Sequence, residues 1–189
     1  MEEKHQSLKK SMDDLDRLSA EDFRNAPKIP LVIVLDNVRS QHNVGSVFRT
    51  SDAFRVEKIF LCGITATPPN KEIQKTALGA TESVVWQHFE ETTTAIEKLH
   101  DEGYVVIAIE QTHNSLDINS KDWFKPDEKL AVVLGNEVFG ASDEVLELCD
   151  RTVEIPQFGT KHSLNVSVCA GIVIWEICKW HLEHKSVNL

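Results

Sequence analysis

The sequence has few cysteines, no long hydrophobic run and no apolar segment at its start. Its four cysteines show no CxxC spacing, so we expect reduced thiols rather than a disulfide framework or a zinc site. No apolar stretch approaches the roughly 18 residues that a membrane helix needs. The opening MEEKHQSLKK lacks the hydrophobic core of a signal peptide. These absences predict a cytoplasmic protein with no membrane partner and no metal.

Basic residues are also scarce, because 20 Lys and Arg stand against 30 Asp and Glu for a net charge of −10. This balance disfavours broad electrostatic binding to nucleic acid, although a local basic patch can still exist. The 41% of hydrophobic residues and 26% of charged residues are ordinary for a globular protein. A chain of 189 residues fits one domain with a short appendage.

The chain divides into a polar N-terminal helical extension, a globular domain and a short tail. We set these at 1–28, 29–184 and 185–189, with a short helix in the extension around Leu15 and Leu18. Short β-prone runs mark six strands in the domain. They are Leu31–Leu35, Lys58–Cys62, Ser83–Trp86, Tyr104–Ile109, Leu130–Leu134 and Thr152–Ile155.

Helical patterns lie between these runs at about 44–54, 70–77, 92–102 and 142–149, and a last one covers about 164–183. Alternation of strand and helix predicts an α/β fold with a mostly parallel sheet and helices on both faces. Ligands of such sheets bind at the loops beyond the carboxyl ends of the strands. Three of those loops are rich in Gly, Asn and small polar residues.

The first segment is DNVRSQHNVGSVFRTSDAF, Asp36–Phe54, in which a loop leads into a helix. Asn43 is predicted to cap that helix, and Gly45 and Arg49 lie four apart on one face. Gly45 leaves room for a bulky group beside Arg49, whose guanidinium suits a phosphate. The alternative, which these residues alone favour, is that Arg49 pairs with Asp52 or Asp36 on a solvated helix.

The second loop is LGNEVFGAS, Leu134–Ser142, and it is neither a P-loop nor a GxGxxG loop. Its glycines would allow close backbone approach to a flat ligand, and Glu137 could orient a polar group. An ordinary turn with a solvent-facing Glu is equally well supported.

The third loop is IPQFGTKHSLNVSVCAGIVI, Ile155–Ile174, in which Ser163 and Asn165 stand at the start of a long helix. Small residues along that helix let a ligand or another backbone pack closely. The alternative is a capping Ser on an ordinary core helix.

Together the three segments resemble the three motifs of the SpoU (TrmH-like) branch of the SPOUT RNA methyltransferases. Motif one matches as NVGSVFRTSDAF, motif two as LGNEVFG and motif three as IPQFGTKHSLNVSVCAGI, and LCGITATPP and KTALGA are also similar to the family. The resemblance runs from about Ile29 to about Trp180. It implies an α/β domain whose C-terminal part forms a deep trefoil knot, a topology that general rules of chain connection disfavour.

The resemblance implies methyl transfer from S-adenosylmethionine to a ribose 2′-hydroxyl of RNA, with tRNA favoured over ribosomal RNA, by a homodimer that needs no metal. The implied cofactor contacts are Gly135, Ile155 and Leu164, with Asn136, Glu110 and Gln111 nearby. The implied catalytic residues are Arg49, Asn43, Glu137, Ser163 and Asn165. Arg49 would act as the general base or by gripping a phosphate and stabilising the alkoxide. The apolar residues of the last helix, Ile172, Trp175, Ile177 and Trp180, are candidates for the dimer interface or the core.

Two other functions compete with this one: a catalytically silent RNA-binding relative, and a nucleotide-binding α/β protein of another kind. The second lacks a phosphate-loop signature. Histidines offer a weaker alternative, with His42 and His162 as bases. His181 and His184, three apart in the last helix, could bind a metal, but solvated side chains are the favoured interpretation. RNA capture by so acidic a chain would depend on local basic groups. These are Arg39, Arg49, Arg55, Lys71, Lys75 and Lys161.

Overall fold

The structure is a computed structural model that describes residues 9–10, 17–120, 122–184 and 187. In the N-terminal extension the helix is α1, Ala20–Asn25, which is capped by the Ser19 hydroxyl. Leu18 therefore precedes the helix that was predicted around it, and Leu15 lies outside the described residues, as does most of the 185–189 tail.

Seven strands and six further helices follow in the described residues. The strands are β1 Ile29–Asp36, β2 Val56–Cys62, β3 Val85–Phe89, β4 Tyr104–Ile109, β5 Leu116–Asp117, β6 Lys129–Leu134 and β7 Arg151–Glu154. The helices are α2 Gln41–Ala53, α3 Lys71–Ala77, α4 Ala80–Ser83, α5 Thr92–Asp101, α6 Asp143–Leu148 and α7 Val166–Glu183.

The seven strands form one parallel sheet in the order β3-β2-β1-β6-β4-β7-β5. The predicted α/β class is confirmed. Strand β6 lies between β1 and β4, so the chain returns to the centre of the sheet late in the sequence. This order is compatible with the knotted C-terminal part that the resemblance implies.

Hydrophobic cores lie on both faces of the sheet, as predicted. Along β1, Leu31 and Ile33 pack on the side of α2, α3 and α7, whereas Val32 and Val34 pack on the side of α5 and α6. All four side chains are fully buried. Helices on both faces exclude water from the sheet, which is why β1 is an uninterrupted apolar run instead of an alternating one.

Three local features differ from the prediction. Strand β5 and helix α4 were not predicted, because two and four residues are too short to show a period. Strand β3 begins at Val85 rather than Ser83, since Ser83 ends α4.

The space at Gly45 is occupied by protein and not by a ligand. A Cβ there would lie 2.1 Å from the hydroxyl of Thr76 and 2.3 Å from the carbonyl oxygen of Ile73, both in α3. Helix α3 therefore packs directly on the backbone of α2, and the interpretation of Gly45 as room for a bulky ligand was wrong.

The four cysteines are free, as predicted, and Cys62 and Cys178 are buried. Burial raises the pKa of the Cys62 thiol to about 12. None of the described helices combines the length and the apolar character needed to cross a bilayer.

Candidate active site

The loops after β4, β6 and β7 meet at one edge of the sheet, because these three strands are neighbours and parallel. With the start of α7 they enclose a cavity of about 300 Å³. A cavity of this volume is at the lower end of the range for small-molecule sites.

All six residues predicted to contact a cofactor line this cavity, together with two of the five predicted catalytic residues. The eight are Glu110, Gln111, Gly135, Asn136, Ile155, Leu164, Glu137 and Ser163. Asn43 and Asn165 do not line the cavity: Asn43 donates a hydrogen bond to the lining residue Glu137, and Asn165 donates one to Asn43. Arg49 does not line this cavity.

The wall of the cavity is partly apolar and partly acidic. Leu134 and Val166 are buried apolar parts of it, and Leu164 is about one third exposed. Glu110 and Glu154 bring carboxylates to the same lining. Apolar surface suits a purine ring, and carboxylates suit a positively charged group, so the lining fits a cationic nucleoside.

The second loop is held in shape by its own polar groups. The side-chain oxygen of Asn136 accepts hydrogen bonds from the backbone N–H groups of Val138 (2.9 Å) and Phe139 (3.2 Å). Backbone bonds between Asn136 and Gly140 close the turn, and Gly140 has a φ of +69° that favours glycine. A Cβ at Gly135 would lie 2.3 Å from Gly140, so this glycine serves the loop's packing on itself.

Glu137 joins the second loop to the start of helix α2. Its carboxylate accepts hydrogen bonds from the backbone N–H groups of Arg39 (2.9 Å) and Ser40 (3.0 Å) and from the side-chain amide of Asn43 (3.0 Å). Partial burial works to raise the pKa of Glu137, but these hydrogen bonds outweigh it and hold the pKa below its ordinary value. Glu137 is therefore a clamp between two loops, not the solvent-facing side chain of an ordinary turn.

Asn43 and Asn165 extend this connection to the third loop. The Asn165 amide donates to the side-chain oxygen of Asn43 (3.1 Å), while the Asn165 oxygen accepts from the backbone N–H of Ser167 and caps α7. Asn43 is not the cap that was predicted, because Ser40 caps α2 and Asn43 lies in its first turn. Ser163 likewise precedes the cap of α7 and stays in the loop.

Arg49 lies on α2 six residues after Asn43, or about 9 Å along the helix axis. It is exposed and lines a second cavity with Asp52 and Arg55. Neither predicted ion pair is found among the described residues: Asp36 is buried and bonded by Thr92 and Asn37, and Asp52 accepts a hydrogen bond from the Ser83 hydroxyl.

Residues 30–175, which include all three loops, match the sequence profile of the SpoU rRNA Methylase family. The chain belongs to the SpoU family. It is 32% identical over 150 residues to the tRNA (guanosine(18)-2′-O)-methyltransferase of Aquifex aeolicus, a match that covers 77% of this chain and 67% of that protein. A relative from Staphylococcus saprophyticus is also 32% identical over 150 residues, and the chain spans only 59% of its length.

Solved SpoU-family structures have the same fold. The A. aeolicus TrmH/SpoU tRNA modifying enzyme is similar with a TM-score of 0.76 and 24% identity, over 88% of this chain and 84% of that one. An AdoMet-bound rRNA methyltransferase from Sinorhizobium meliloti is similar with a TM-score of 0.74 and 26% identity, over 84% of this chain and 60% of that one.

The histidines add little to this SpoU-family site. His42 is exposed and lies 3.1 Å from Glu72, whereas His162 contributes its backbone oxygen to the side-chain amide of Gln111 (2.9 Å). His181 is buried, contrary to the expectation of a solvated residue. Among the described residues, no group of three His, Cys, Asp or Glu side chains is arranged to hold a metal ion.

Ten of the eighteen lining residues were not predicted as site residues, and three of them show why. Phe139 stands 85% exposed at the rim, and Gln157 and Cys169 line the wall. All three lie inside the SpoU motifs, which were the available signal, but motif membership does not say which side chains face a cavity.

Proposed function

We propose that the protein transfers a methyl group from S-adenosylmethionine to a ribose 2′-hydroxyl of RNA, with tRNA as the favoured substrate. The observation that carries the proposal is the cavity in which all six expected cofactor residues converge. Membership of the SpoU family supports it, as do the A. aeolicus tRNA methyltransferase and the AdoMet-bound S. meliloti protein. A cytoplasmic location, where tRNA is modified, is part of the proposal.

The cofactor would lie against Gly135, Ile155 and Leu164, with Glu110 and Gln111 at the polar side of the cavity. When bound, S-adenosylmethionine supplies an electrophilic methyl group on a sulfonium, so the reaction needs no metal. The buried apolar side chains of Leu134 and Val166 would exclude water from that part of the cavity. The carboxylates of Glu110 and Glu154 in the lining would favour the positive charge of a sulfonium.

The remaining task is to present an alcohol that loses its proton as it attacks. Glu137, Asn43 and Asn165 are positioning residues in this proposal, since their hydrogen bonds fix the three loops relative to one another. We assign Arg49 the electrostatic role, because a guanidinium stays protonated at neutral pH and suits both a phosphate and a developing alkoxide.

We also propose that a homodimer completes the site. Arg49 lines a different cavity of its own chain, and we propose that the guanidinium that serves each cofactor cavity comes from the second copy. Helix α7 carries an exposed apolar stripe of Val168, Trp175 and Leu182, seven residues apart and each about half exposed. We propose this stripe as part of the dimer interface. Ile177 is fully buried and belongs to the core instead.

The proposal is tested with methyl-labelled S-adenosylmethionine and RNA from a strain that lacks the enzyme. A 2′-O-methylated ribose resists nuclease cleavage, so label should appear in dinucleotides from the tRNA fraction. If label appeared only in ribosomal RNA, ribosomal RNA would replace tRNA as the proposed substrate. Cofactor binding by calorimetry without any incorporation would identify a silent RNA-binding relative and overturn the proposed activity.

A further inference from the structure

A second cavity lies beside Arg49, and no part of the proposed chemistry has yet used it. It has a volume of about 620 Å³ and lies between the segment before α1, the end of α2 and the turn that joins α3 to α4. Among the described residues, its charged lining consists of Arg17, Arg49, Arg55 and Asp52. We call it the arginine cavity.

The arginine cavity is positively charged in a chain whose net charge is −10. In the described part of the lining, three guanidinium groups stand beside one carboxylate, and that carboxylate, Asp52, accepts a hydrogen bond from the Ser83 hydroxyl. The charge of Arg55 acts on its surroundings: the pKa of nearby Lys28 is lowered, first by burial and then by Arg55. A planar guanidinium presents paired donors that match phosphate oxygens.

The backbone at Arg55 is in the left-handed region, with a φ of +51°. Its N–H donates to the carbonyl of Asp52 (3.1 Å) and its carbonyl accepts from the N–H of Ile29 (3.0 Å), so the turn between α2 and β2 fixes this conformation. Glycine adopts it freely, whereas a residue with a side chain does so at a cost. An arginine at a position that favours glycine indicates that its side chain has a use.

The rim of the cavity is apolar as well as charged. Leu78, in the turn after α3, is 65% exposed and lies beside Gly79 in the same lining. Cationic groups next to an exposed apolar side chain suit a nucleotide, which has both a phosphate and a ribose or base face. A free phosphate ion would use only the arginines.

We propose that the arginine cavity binds a phosphodiester of the RNA strand on which the methyl transfer acts. The inference rests on the proposed function and adds Arg17 and Arg55 as RNA-positioning residues. Arg49, in the same lining, connects this cavity to the reaction. The RNA backbone would enter at the arginines and present its ribose to the cofactor cavity of the partner copy.

The test measures binding of a fluorescein-labelled tRNA transcript by anisotropy over a range of KCl concentrations. The variants are Arg17→Gln, Arg55→Gly and the double variant. The control is Lys98→Gln, which removes a half-exposed positive charge on α5 across the sheet. The double variant should bind RNA at least tenfold more weakly at low salt. Its salt slope should fall by about 1.5, since each lost phosphate contact removes roughly 0.7 to 0.9.

S-adenosylmethionine affinity separates this role from a structural one. Measured by calorimetry, it should not change in either single variant or in the double variant, because Arg17 and Arg55 do not line the cofactor cavity. A structural role, in which loss of the arginines disturbs the fold, would instead lower cofactor affinity together with RNA affinity.

Each of the remaining outcomes also supports or overturns the inference. Unchanged RNA affinity and salt slope in the double variant, or an equal loss in Lys98→Gln, would overturn the inference even where methyl transfer is normal. If the salt slope of the double variant changes but the parent protein transfers no methyl groups, RNA binding at the arginine cavity stands and the proposed activity is rejected. A last outcome concerns free phosphate. If inorganic phosphate raises the Tm of the parent but not of the double variant, and RNA affinity is the same in both, the ligand of the cavity is free phosphate and not the RNA strand.

Discussion

The side-chain amide of Asn165 donates a hydrogen bond to the side-chain oxygen of Asn43 across 3.1 Å, although 122 positions separate them in the chain. Asn43 in turn donates to Glu137, so one chain of three side chains connects all three motif loops. Since each of these groups also bonds a helix start, the positions of α2 and α7 depend on this connection. It is the structural basis of the predictions on the site.

Replacing Glu137 with Ala should lower the free energy of unfolding by about 2 to 3 kcal/mol, because hydrogen bonds to a charged group contribute about 1.5 to 3 kcal/mol each and part of this site is solvated. Urea denaturation measures the change. Glu147→Ala, at an exposed position on α6, is the matched control and should shift stability by no more than about 0.5 kcal/mol.

Comparison of the parent with Glu137→Ala also predicts how the free energy of unfolding depends on pH. The folded-state pKa of Glu137 is lowered, so its stabilisation is present above its unfolded pKa of about 4.3 and is lost as the pH falls through the folded value. The difference in unfolding free energy between the parent and Glu137→Ala should be constant near neutral pH and should decrease towards zero in acid. A gap that stays the same down to pH 3 would contradict the clamp.

Gly45→Ala should destabilise the protein by about 1 to 3 kcal/mol, because the new methyl group would overlap the α3 backbone at Ile73. Helix propensity alone predicts the opposite sign, a gain of up to about 1 kcal/mol. Thermal and urea unfolding distinguish the two. Gly159→Ala, where nothing lies within 4 Å of the added carbon, should have little effect.

The contrast at Gly45 shows what the sequence could not reveal. Its neighbours predicted a helix correctly, but what fills the space beside a glycine depends on α3, nearly 30 residues further along the chain. The strands were predicted well because both faces of the sheet are covered. Neighbouring residues such as Val32 and Ile33 are buried on opposite faces, which produces an unbroken apolar run. Strand order depends on contacts between distant segments, which no local pattern encodes.

The site divides in the same way. Gly135 and Leu164 could be identified from motif resemblance, and both line the cofactor cavity. The capping roles could not, since Ser40 and Asn43 are both good N-caps three residues apart, and the contact with Glu137 decides between them. Arg49 was assigned to the site by the motif, but its distance from the cavity appears only in three dimensions.

Trp175→Glu should convert a dimer into a monomer, because it places a charge in the middle of the exposed apolar stripe of α7. Sedimentation equilibrium measures the mass. The monomer should still bind S-adenosylmethionine, whose cavity is formed by one chain, but should not transfer methyl groups. Ile64→Glu, at an even more exposed apolar residue outside the stripe, should remain dimeric; a dimeric Trp175→Glu protein would refute the interface.

Mixing two inactive variants tests whether Arg49 acts across the dimer. Arg49→Ala keeps an intact cavity, and Leu164→Arg keeps Arg49 but obstructs the cavity. After subunit exchange, half of the dimers are mixed and each has one complete site, so about a quarter of the parent activity should return. No recovery, with exchange confirmed by mass, would mean that the guanidinium acts within its own chain.

The most direct measurement of the central claim is methyl incorporation into RNA by Arg49→Ala, compared with its S-adenosylmethionine affinity in the same preparation. The account predicts that incorporation is lost while the cofactor binds as tightly as in the parent, since Arg49 lies outside the cavity of its own chain. Incorporation at the parent rate by Arg49→Ala would contradict it.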